Sequence, residues 1–523
     1  MMQSKEKNYI NAAWLIVIGL MFFRIFYSGL FLLVPDETNY WQWSRHLAWG
    51  YHDNSPLIGW AIRLSTELFG QNERAVRLPS VLSMGIASIY MVAMARRWFG
   101  ARAAFHTALL TQGILELNVG GLLATTDALQ SAGWAGAAFH VAKAYENDTW
   151  NEWLLGGFWF GFGMLAKFTM VIFLPGAYLF GLVLPEYRDR LLRIRPYAGL
   201  MLGFLMFLPV IYWNAENGWN SVRHVAHIGG ANTGFELHLK YLGDYLASQV
   251  GLLSPIVFVL VLYACYYAVR NIRKNPIYLY MFLCSFVMFA GFAVLSLHKR
   301  VYGNWPGACY LTAFVLAAAL YAGKGSGGSD DNVPVLYRKA WPWAIGTSYI
   351  LTAILLLHVA VPILPISKKL DRVAREVTGW KMIGQKVDGM MKQMPNPEKT
   401  FLFGKRYQIA SELAFYTPGQ PDTVSINRWS RPNVYDYWCK DEDYIGFDAI
   451  GITSHSDDHQ KTLNQVFDRV EPPVEVNVFR DPFYSDKKEP ARTFYIYRAF
   501  GFKGGLRWVP PDTSDVRSGT QSI

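Results

Sequence analysis

The chain has 523 residues, of which 52% are hydrophobic and 16% aromatic, while only 17% are charged. This composition and a mean hydropathy of +0.14 are typical of a multi-span membrane protein and argue against a soluble domain. The net charge of +10 does not indicate nucleic-acid binding. The basic residues are scattered through short loops between apolar runs, where lysine and arginine act as topology signals or contact anionic lipid.

Eleven apolar stretches are predicted to cross the membrane, since about 20 helical residues span a bilayer core. The first is long and lacks a small-residue cleavage site, so we interpret it as a span and not as a signal peptide. Lys167 interrupts 152–184, which can alternatively form one re-entrant feature. The stretches are 10–33, 77–97, 102–119, 124–143, 152–166, 168–184, 197–213, 251–269, 276–296, 305–322 and 342–362.

The distribution of basic loops predicts the orientation in a bacterial inner membrane. With the N-terminus in the cytoplasm, every strongly basic short loop falls on the cytoplasmic side, as the positive-inside rule requires. A Gly/Ser-rich segment, 323–340, is then a cytoplasmic linker. The basic residues in these loops are Lys5, Lys7, Arg96, Arg97, Arg102, Arg188, Arg190, Arg193, Arg195, Arg270, Arg273 and Lys274.

The tail is predicted to be a second domain, because its composition changes from apolar to that of an ordinary globular protein. We place a transmembrane domain at 1–363 and a small periplasmic α/β domain at 364–523. Helix-like segments are 368–393 and 457–469. Strand-like runs are 400–404, 413–417, 422–426, 445–452 and 493–498.

Two adjacent carboxylates, Asp36 and Glu37, follow the first span directly. Acidic residues in a first helical turn are stabilised by the helix dipole, so one interpretation is a solvated helix start. The other is a general base that removes the proton of an attacking hydroxyl. An aromatic stretch follows, and its composition predicts an amphipathic helix in the membrane interface. Its apolar residues are Tyr40, Trp41, Trp43, Leu47 and Trp49.

Several short motifs follow the first span in a defined order. They are Asp36-Glu37, Gly50-Tyr51-His52-Asp53, Ser55-Pro56-Leu57-Ile58-Gly59-Trp60, Leu68-Phe69-Gly70, Arg74-Ala75-Val76-Arg77-Leu78-Pro79-Ser80, Ala124-Thr125-Thr126-Asp127-Ala128-Leu129, Gly163-Met164-Leu165-Ala166-Lys167, Trp213-Asn214-Ala215-Glu216-Asn217-Gly218-Trp219, His298-Lys299-Arg300 and Asn304-Trp305-Pro306. Their order and the topology resemble the ArnT-like and protein-O-mannosyltransferase-like (glycosyltransferase family 39) members of the GT-C class of membrane glycosyltransferases.

The resemblance implies an all-α GT-C membrane fold and an activity. That activity is inverting transfer of a sugar from a polyprenyl-phosphate donor to an envelope acceptor on the periplasmic face. Lipid A or lipopolysaccharide, another glycan, or a protein can be the acceptor. Asp36 corresponds to the family's leading acid and is assigned as the base. Glu37 faces another direction on the helical turn, so we assign it to orienting the loop or contacting the sugar. Asn39 and Asn54-Ser55-Pro56 depart from the family, which often has basic residues at these places.

Contacts to the donor phosphate are therefore assigned to other cations. Lys299 and Arg300 are predicted to lie on the periplasmic side, although lysine and arginine usually favour cytoplasmic loops. They can bind the phosphate or anionic lipid headgroups. Lys167 can bind the phosphate or extend from a helix end to the interface. His298 and Arg77 are secondary candidates.

Contacts to the sugar or acceptor are assigned to His52, Asp53, Asn54 and Asp127, although the sequence slightly favours Asp127 as a helix N-cap. His224 and His227 are three residues apart but lack a third ligand, so no metal is assigned. The four cysteines form no CxxC pair. We expect no cofactor beyond the lipid-linked substrate, and a divalent-metal requirement stays open.

A transporter or flippase of a lipid-linked sugar is the main alternative. Such a protein is expected to have inverted repeats and charged residues at mid-membrane depth, neither of which is evident in the sequence. A scaffold whose tail binds partners is a further alternative, but it would give the paired acids no role.

Overall fold

The computed structural model describes residues 2–231, 234, 236–323, 333–366, 370–453, 459–480 and 490–508. Half of the predicted 323–340 linker, residues 324–332, lies outside these ranges. Its last residues are not linker, because a helix begins at Val335. The described residues divide into two compact units. The first contains the residues up to Leu30 together with Leu47–Leu356, and the second contains Phe31–His46 together with the residues from Leu357 onward.

The first unit is helical. In chain order, with α2 included for numbering, the helices are α1 (Met2–Tyr27), α2 (Pro35–Arg45), α3 (Leu57–Phe69), α4 (Glu73–Phe99), α5 (Ala101–Gly113), α6 (Leu115–Leu122), α7 (Thr126–Asn147), α8 (Trp150–Ala166), α9 (Phe173–Val183), α10 (Pro185–Leu191), α11 (Ile194–Glu216), α12 (Asn220–Ile228), α13 (Leu239–Leu253), α14 (Pro255–Arg270), α15 (Ile277–Ser296), α16 (Tyr310–Ala322) and α17 (Val335–Ala360). Short 3-10 turns occupy Phe168–Ile172 and Gly307–Cys309.

Small residues allow α7, α8 and α11 to pack closely. A Cβ atom at Gly157 of α8 would collide with the backbone of Gly199 in α11, and one at Gly133 of α7 would lie 2.6 Å from the Cα of Gly163. Glycine contacts of this kind are common between membrane helices, where close backbone approach maximises van der Waals contact.

Five helices in the described part of the chain are long and apolar enough to cross a membrane: α1, α4, α11, α15 and α17. The pair α13 and α14 would make a sixth span, although the chain bends by 104° between them, and two shorter apolar helices are Phe168–Val183 and Gly307–Ala322. The protein is thus a multi-pass membrane protein. The larger count of eleven spans stays a prediction.

The second unit contains a mixed sheet with helices. The helices after α17 are α18 (Arg372–Glu376), α19 (Trp380–Met391), α20 (Tyr407–Tyr416), α21 (Tyr435–Trp438) and α22 (His459–Leu463). Two 3-10 turns are Pro397–Lys399 and Asp441–Asp443. The strands are β1 (Thr400–Gly404), β2 (Thr423–Ser425), β3 (Asp448–Thr453), β4 (Phe467–Val470), β5 (Val474–Phe479) and β6 (Pro490–Phe502).

The strand order is β2-β1-β3-β6-β4, and β5 also pairs with β6. Strand β1 runs parallel to both neighbours, so that Leu402 lies opposite Thr423 on one side and Ile450 on the other. Strand β6 is antiparallel to β3, β4 and β5. The predicted small C-terminal α/β sheet is therefore present.

Two predicted segments of the tail differ in the structure. The run 413–417, predicted as a strand, is the end of α20 and the residue after it. A continuous buried apolar run can be either a strand or a helix, so its periodicity could not decide. In the described part of the predicted helix 457–469, α22 ends at Leu463 and β4 begins at Phe467.

The aromatic helix α2 belongs to the second unit. Trp41 and Trp43 are buried, and the Trp41 ring makes an edge contact with Phe415 of α20, with 4.9 Å between ring centroids. The prediction of an interface helix was therefore wrong for these two residues, because their side chains are buried in the protein core. Leu47 and Trp49 are more than half exposed. Sequence composition does not distinguish a ring buried in protein from one in lipid headgroups.

Candidate active site

The first turn of α2 gives its two carboxylates different surroundings. Asp36 is exposed, whereas Glu37 is completely buried. The Glu37 Oε2 atom accepts a hydrogen bond from the Val34 amide at 2.9 Å, which satisfies a backbone donor at the helix start. Glu37 thus performs the helix-start role that the sequence left open for both acids, and Asp36 remains on the outside of the turn.

The α/β unit fixes the position of α2 through side-chain contacts. The Leu33 amide donates to the Tyr416 hydroxyl at 2.6 Å, and Gln42 donates to the Tyr435 hydroxyl at 3.1 Å. Burial raises the pKa of Tyr435 to about 12, so this phenol stays neutral at physiological pH. Arg45 adds an ion pair with Asp422 at 2.6 Å. The helix that carries Asp36 is therefore part of the C-terminal fold.

The Trp438 ring packs against the end of this segment. It stacks on His46, with 4.4 Å between ring centroids and 18° between ring planes. Burial lowers the pKa of His46, so this imidazole is neutral near pH 7.

In the first unit, Asp127 and Lys167 form an ion pair. Lys167 lies in the break after α8, and its Nζ atom is 2.5 Å from Asp127 Oδ1. The two side chains are 12% and 26% exposed. Asp127 makes no cap in the structure, because Thr125 occupies the N-cap position of α7. Lys167 therefore has a carboxylate partner, as expected for a lysine beside an apolar run.

Two further polar residues surround this pair. Asn304 donates to Asp127 Oδ2 at 3.3 Å, and Glu116 interacts electrostatically with both Asp127 and Lys167. Glu116 is not among the residues predicted from the sequence, although an acid within an apolar stretch is a visible signal. Asn304 was predicted only as part of a motif, without a role.

The segment after α15 presents His298, Lys299 and Arg300. Arg300 is exposed, and the other two are half-buried. The His298 ring accepts from the Glu236 amide at 3.2 Å. Within the residues that the structure describes, Lys299 and Arg300 form no ion pair.

Arg77, the remaining predicted phosphate ligand, is completely buried in α4. Its Nη1 atom donates to the Ser28 carbonyl at 2.6 Å. This contact joins α4 to the segment after α1. This position argues against the predicted contact between Arg77 and the phosphate, because a guanidinium enclosed by protein cannot reach a ligand without rearrangement of the helices.

The predicted sugar or acceptor residues of the first loop form a turn, in which the Tyr51 amide donates to the Asn54 carbonyl at 3.3 Å. His52 is buried, and Asp53 and Asn54 are half-buried. His224 of α12 reaches this turn, and its Nε2 atom is 3.2 Å from Asp53 Oδ1. His227 is exposed and is not part of this group. Of the two histidines considered together from the sequence, only His224 therefore belongs to this group.

The chain is similar in sequence to several known glycosyltransferases. The profile of the dolichyl-phosphate-mannose-protein mannosyltransferase family matches residues 53–213. A lipid A galacturonosyltransferase of Rhizobium johnstonii is 24% identical over 311 residues, which are 58% of this chain and 64% of that protein. An undecaprenyl phosphate-alpha-4-amino-4-deoxy-L-arabinose arabinosyl transferase of Serratia proteamaculans is 26% identical over 244 residues, 42% and 44% of the two chains.

Solved structures of glycosyltransferases have a fold similar to that of this chain. ArnT from Cupriavidus metallidurans in the apo state superposes with a TM-score of 0.64 at 16% identity, covering 92% of this chain and 97% of that one. The chain has a GT-C glycosyltransferase fold. The resemblance inferred from the sequence motifs is confirmed. The archaeal oligosaccharyltransferase AglB from Archaeoglobus fulgidus, a more distant example, has a TM-score of 0.50 at 12% identity, over 86% and 69% of the two chains.

The sequence matches are partial. The chain spans less than two thirds of the length of either curated relative. The fold likeness to ArnT, in contrast, extends over nearly all of both chains.

Proposed function

We propose that this GT-C protein transfers a sugar from a polyprenyl-phosphate donor to an envelope acceptor, with lipid A as the favoured acceptor. The observation that carries the proposal is the agreement between two sequence relatives. One is named for galacturonosyl transfer to lipid A, and the other for transfer from an undecaprenyl phosphate-linked sugar. A second ArnT structure, bound to undecaprenyl phosphate, superposes with a TM-score of 0.64.

Asp36 is the base in this proposal. An acceptor hydroxyl must lose its proton as it attacks the anomeric carbon, and a carboxylate within about 2.6–3.2 Å can accept it. Attack from the face opposite the phosphate inverts the anomeric configuration and releases polyprenyl phosphate. The exposure of Asp36 and the engagement of Glu37 in the helix start favour Asp36 for this role.

Lys299 and Arg300 stabilise the departing phosphate. Negative charge accumulates on the leaving oxygen as the bond from sugar to phosphate breaks, and fixed cations lower the energy of that transition state. Arginine can bind two phosphate oxygens at once, and lysine acts as a compact point charge. We give Lys167 the different role of orienting Asp127, because the two are paired.

The same cations also favour one class of sugar over another. A galacturonosyl group carries a carboxylate, whereas 4-amino-4-deoxy-arabinose carries an amine. Two adjacent cations without a described carboxylate partner favour an anionic sugar on a phosphate donor. Asp127, an acid that could meet an ammonium group, is already neutralised by Lys167. We therefore propose a uronic acid as the sugar.

The membrane arrangement is part of the proposal. Eleven spans, a cytoplasmic N-terminus and a periplasmic α/β unit in the inner membrane agree with the distribution of basic loops. Catalysis on the periplasmic face follows from this arrangement.

The test is turnover of radiolabelled donors by detergent-purified protein with lipid A as acceptor. We expect release of polyprenyl phosphate and labelled lipid A, with the uronosyl donor preferred over a neutral and an aminoarabinosyl donor. Movement of intact donor across a vesicle bilayer without cleavage would instead establish the flippase alternative. Mass spectrometry of envelope glycolipids from a deletion strain should show the loss of one uronosyl residue.

A further inference from the structure

Three arginines around one aspartate form a basic cluster where α7, α8 and α11 meet. Asp148 follows α7 directly, and its side chain is 2% exposed. Its Oδ2 atom lies 3.3 Å from Arg190 Nη1 and 2.7 Å from Arg195 Nη1, and it also pairs with Arg193. Three guanidinium charges thus face one carboxylate, which can neutralise only one of them.

Contacts on the inner side hold this cluster in place. The Trp153 Nε1 atom of α8 donates to Asp148 Oδ1 at 3.1 Å. The Arg195 guanidinium also donates to the Asp148 carbonyl, and it lies over the Trp150 ring, 5.9 Å from the ring centroid. The side chains of Arg193 and Arg195 nevertheless remain 50% and 31% exposed. The arginines can therefore offer N–H groups to a ligand without losing the carboxylate that orders them.

The neighbouring acids do not pair with the cluster. Glu146, near the end of α7, is paired with Arg97 of α4 at 2.7 Å. Glu186 and Asp189 on α10 are exposed, and neither forms an ion pair within the part of the chain that the structure describes. An anionic ligand is therefore the electrostatic complement of the three arginines.

An apolar groove lies beside the basic cluster, between the segment 168–183 and α11. Its volume is about 530 Å³. A narrower crevice shares Leu200 with the groove and continues to Trp153 and Pro196. Trp153 is the residue that donates to Asp148, so the crevice connects the groove to the cluster. The groove is lined by Val171, Ile172, Leu174, Pro175, Tyr178 and Leu200.

The spacing of the cluster and the groove matches the dimensions of a phospholipid. Leu200 is five residues after Arg195 on α11, which corresponds to about 7.5 Å of helix. One headgroup layer is about 5–7.5 Å thick, since the two layers add about 10–15 Å to a hydrocarbon core of about 30 Å. A phosphate bound by the arginines would therefore have its acyl chains at the depth of the groove.

The cluster is far from the candidate transfer site. Helix α8 begins beside the arginines at Trp150, and Lys167 follows its other end. Its 17 residues correspond to about 25 Å. A phosphate on the arginines is thus too far from the pair of Asp127 and Lys167 to be the one that leaves the sugar. The distribution of basic loops predicts that this end of α8 faces the cytoplasm, where the leaflet carries anionic lipid.

We propose that the basic cluster and the apolar groove together bind an anionic phospholipid, with its phosphate on Arg193 and Arg195 and an acyl chain between α9 and α11. Guanidinium groups bind phosphate oxygens through paired, charge-assisted hydrogen bonds. Basic pockets between membrane helices bind phospholipid headgroups in the same way. The lipid stabilises the folded state, because the site exists only when α7, α8 and α11 are packed together. The site does not depend on the proposed sugar transfer.

The test uses full-length protein purified in detergent and stripped of lipid. It is incubated with phosphatidylglycerol and phosphatidylcholine of the same acyl chains, and the bound lipid is measured by native mass spectrometry. Wild-type protein should retain phosphatidylglycerol and little phosphatidylcholine. Arg193→Gln should lower the affinity for phosphatidylglycerol by about tenfold, as expected for the loss of one charge-assisted hydrogen bond. Lys274→Gln, in another basic loop, is the matched control and should leave it unchanged.

A second variant tests the groove. Leu200→Trp places a larger side chain there, so it should weaken the binding of long-chain phosphatidylglycerol more than that of a short-chain analogue. Size-exclusion profiles identify a misfolded variant. If Arg193→Gln misfolds, Leu200→Trp decides, because Leu200 makes no contact with Asp148 in the cluster.

Three results would overturn the proposal. Equal retention of phosphatidylglycerol and phosphatidylcholine by the wild type would leave the arginines as a structural clamp on Asp148. Equal losses with Arg193→Gln and Lys274→Gln would indicate general attraction of anionic lipid. Displacement of phosphatidylglycerol by polyprenyl phosphate would assign the site to the sugar carrier instead. None of these results depends on whether the protein transfers sugar.

Discussion

Adjacent carboxylates at the start of α2 show how one turn of helix gives similar side chains different roles. Neighbouring residues on a helix face different directions. Glu37 faces inward and accepts from the Val34 amide, and Asp36 faces outward. The sequence shows both acids, but only the burial of each distinguishes the structural residue from the candidate base.

Asp36→Asn should reduce the transfer rate at saturating donor by about 10²–10⁴-fold, because the amide keeps the shape but cannot accept the proton. Glu37→Gln is the matched control. Its amide oxygen can still accept from the Val34 amide, so the hydrogen bond at the helix start is kept. Donor binding by both variants should be near that of wild type. Near-normal transfer by Asp36→Asn would contradict the assignment and make Asp127 the next candidate.

Lys299→Ala and Arg300→Ala should each raise the transition-state free energy by about 2.7–4 kcal/mol, by analogy with the loss of one preorganised donor to a developing anion. The measurement is the transfer rate at limiting donor. Lys274→Ala, in a loop predicted to be cytoplasmic, controls for the general loss of a cation. Wild-type rates in both variants would show instead that these residues contact lipid headgroups.

At the scale of elements, the packing of α2 on α20 links the candidate base to the C-terminal sheet. Tyr416→Phe removes the acceptor of the buried Leu33 amide, and an unsatisfied buried donor costs about 1–3 kcal/mol. We expect faster hydrogen exchange in 33–45 and a lower transfer rate, with unchanged donor binding.

Asp422→Asn is the control for this prediction. It breaks the ion pair with Arg45, but the Asp422 side chain is 72% exposed, so the pair contributes about 1 kcal/mol or less. Exchange in 33–45 should change little. If Tyr416→Phe also had no effect on exchange or transfer, the hydroxyl would not be needed to position α2.

Some features of the fold could be predicted from the sequence, and others could not. The GT-C class and the C-terminal sheet were predictable, because motif order and composition are local properties of the chain. The burial of Trp41 was not predictable, since its partner Phe415 lies far away in sequence. The pair of Asp127 and Lys167 was missed for the same reason. Each residue had a reasonable local interpretation, as helix cap and as helix end, and only the fold brings them within 2.5 Å.

At the scale of the whole molecule, the topology is the prediction to test. Fusions after residues 335 and 520 should show that the first point is cytoplasmic and the second periplasmic, because the basic loops then share one side. We expect a fluorescent fusion at 335 and alkaline phosphatase activity at 520. Phosphatase activity at 335, or its absence at 520, would contradict the predicted topology.

The hydrogen bond between Gln42 and Tyr435 joins residues 393 positions apart in the sequence. At a synthesis rate of about 5–20 residues per second, roughly 20–80 s separate the emergence of the two from the ribosome. During that interval the segment with Asp36 has left the ribosome but lacks the partner that fixes it. A newly made chain is therefore expected to insert into the membrane before it becomes active. Ribosome stalling before Tyr407 would yield an inserted but inactive protein.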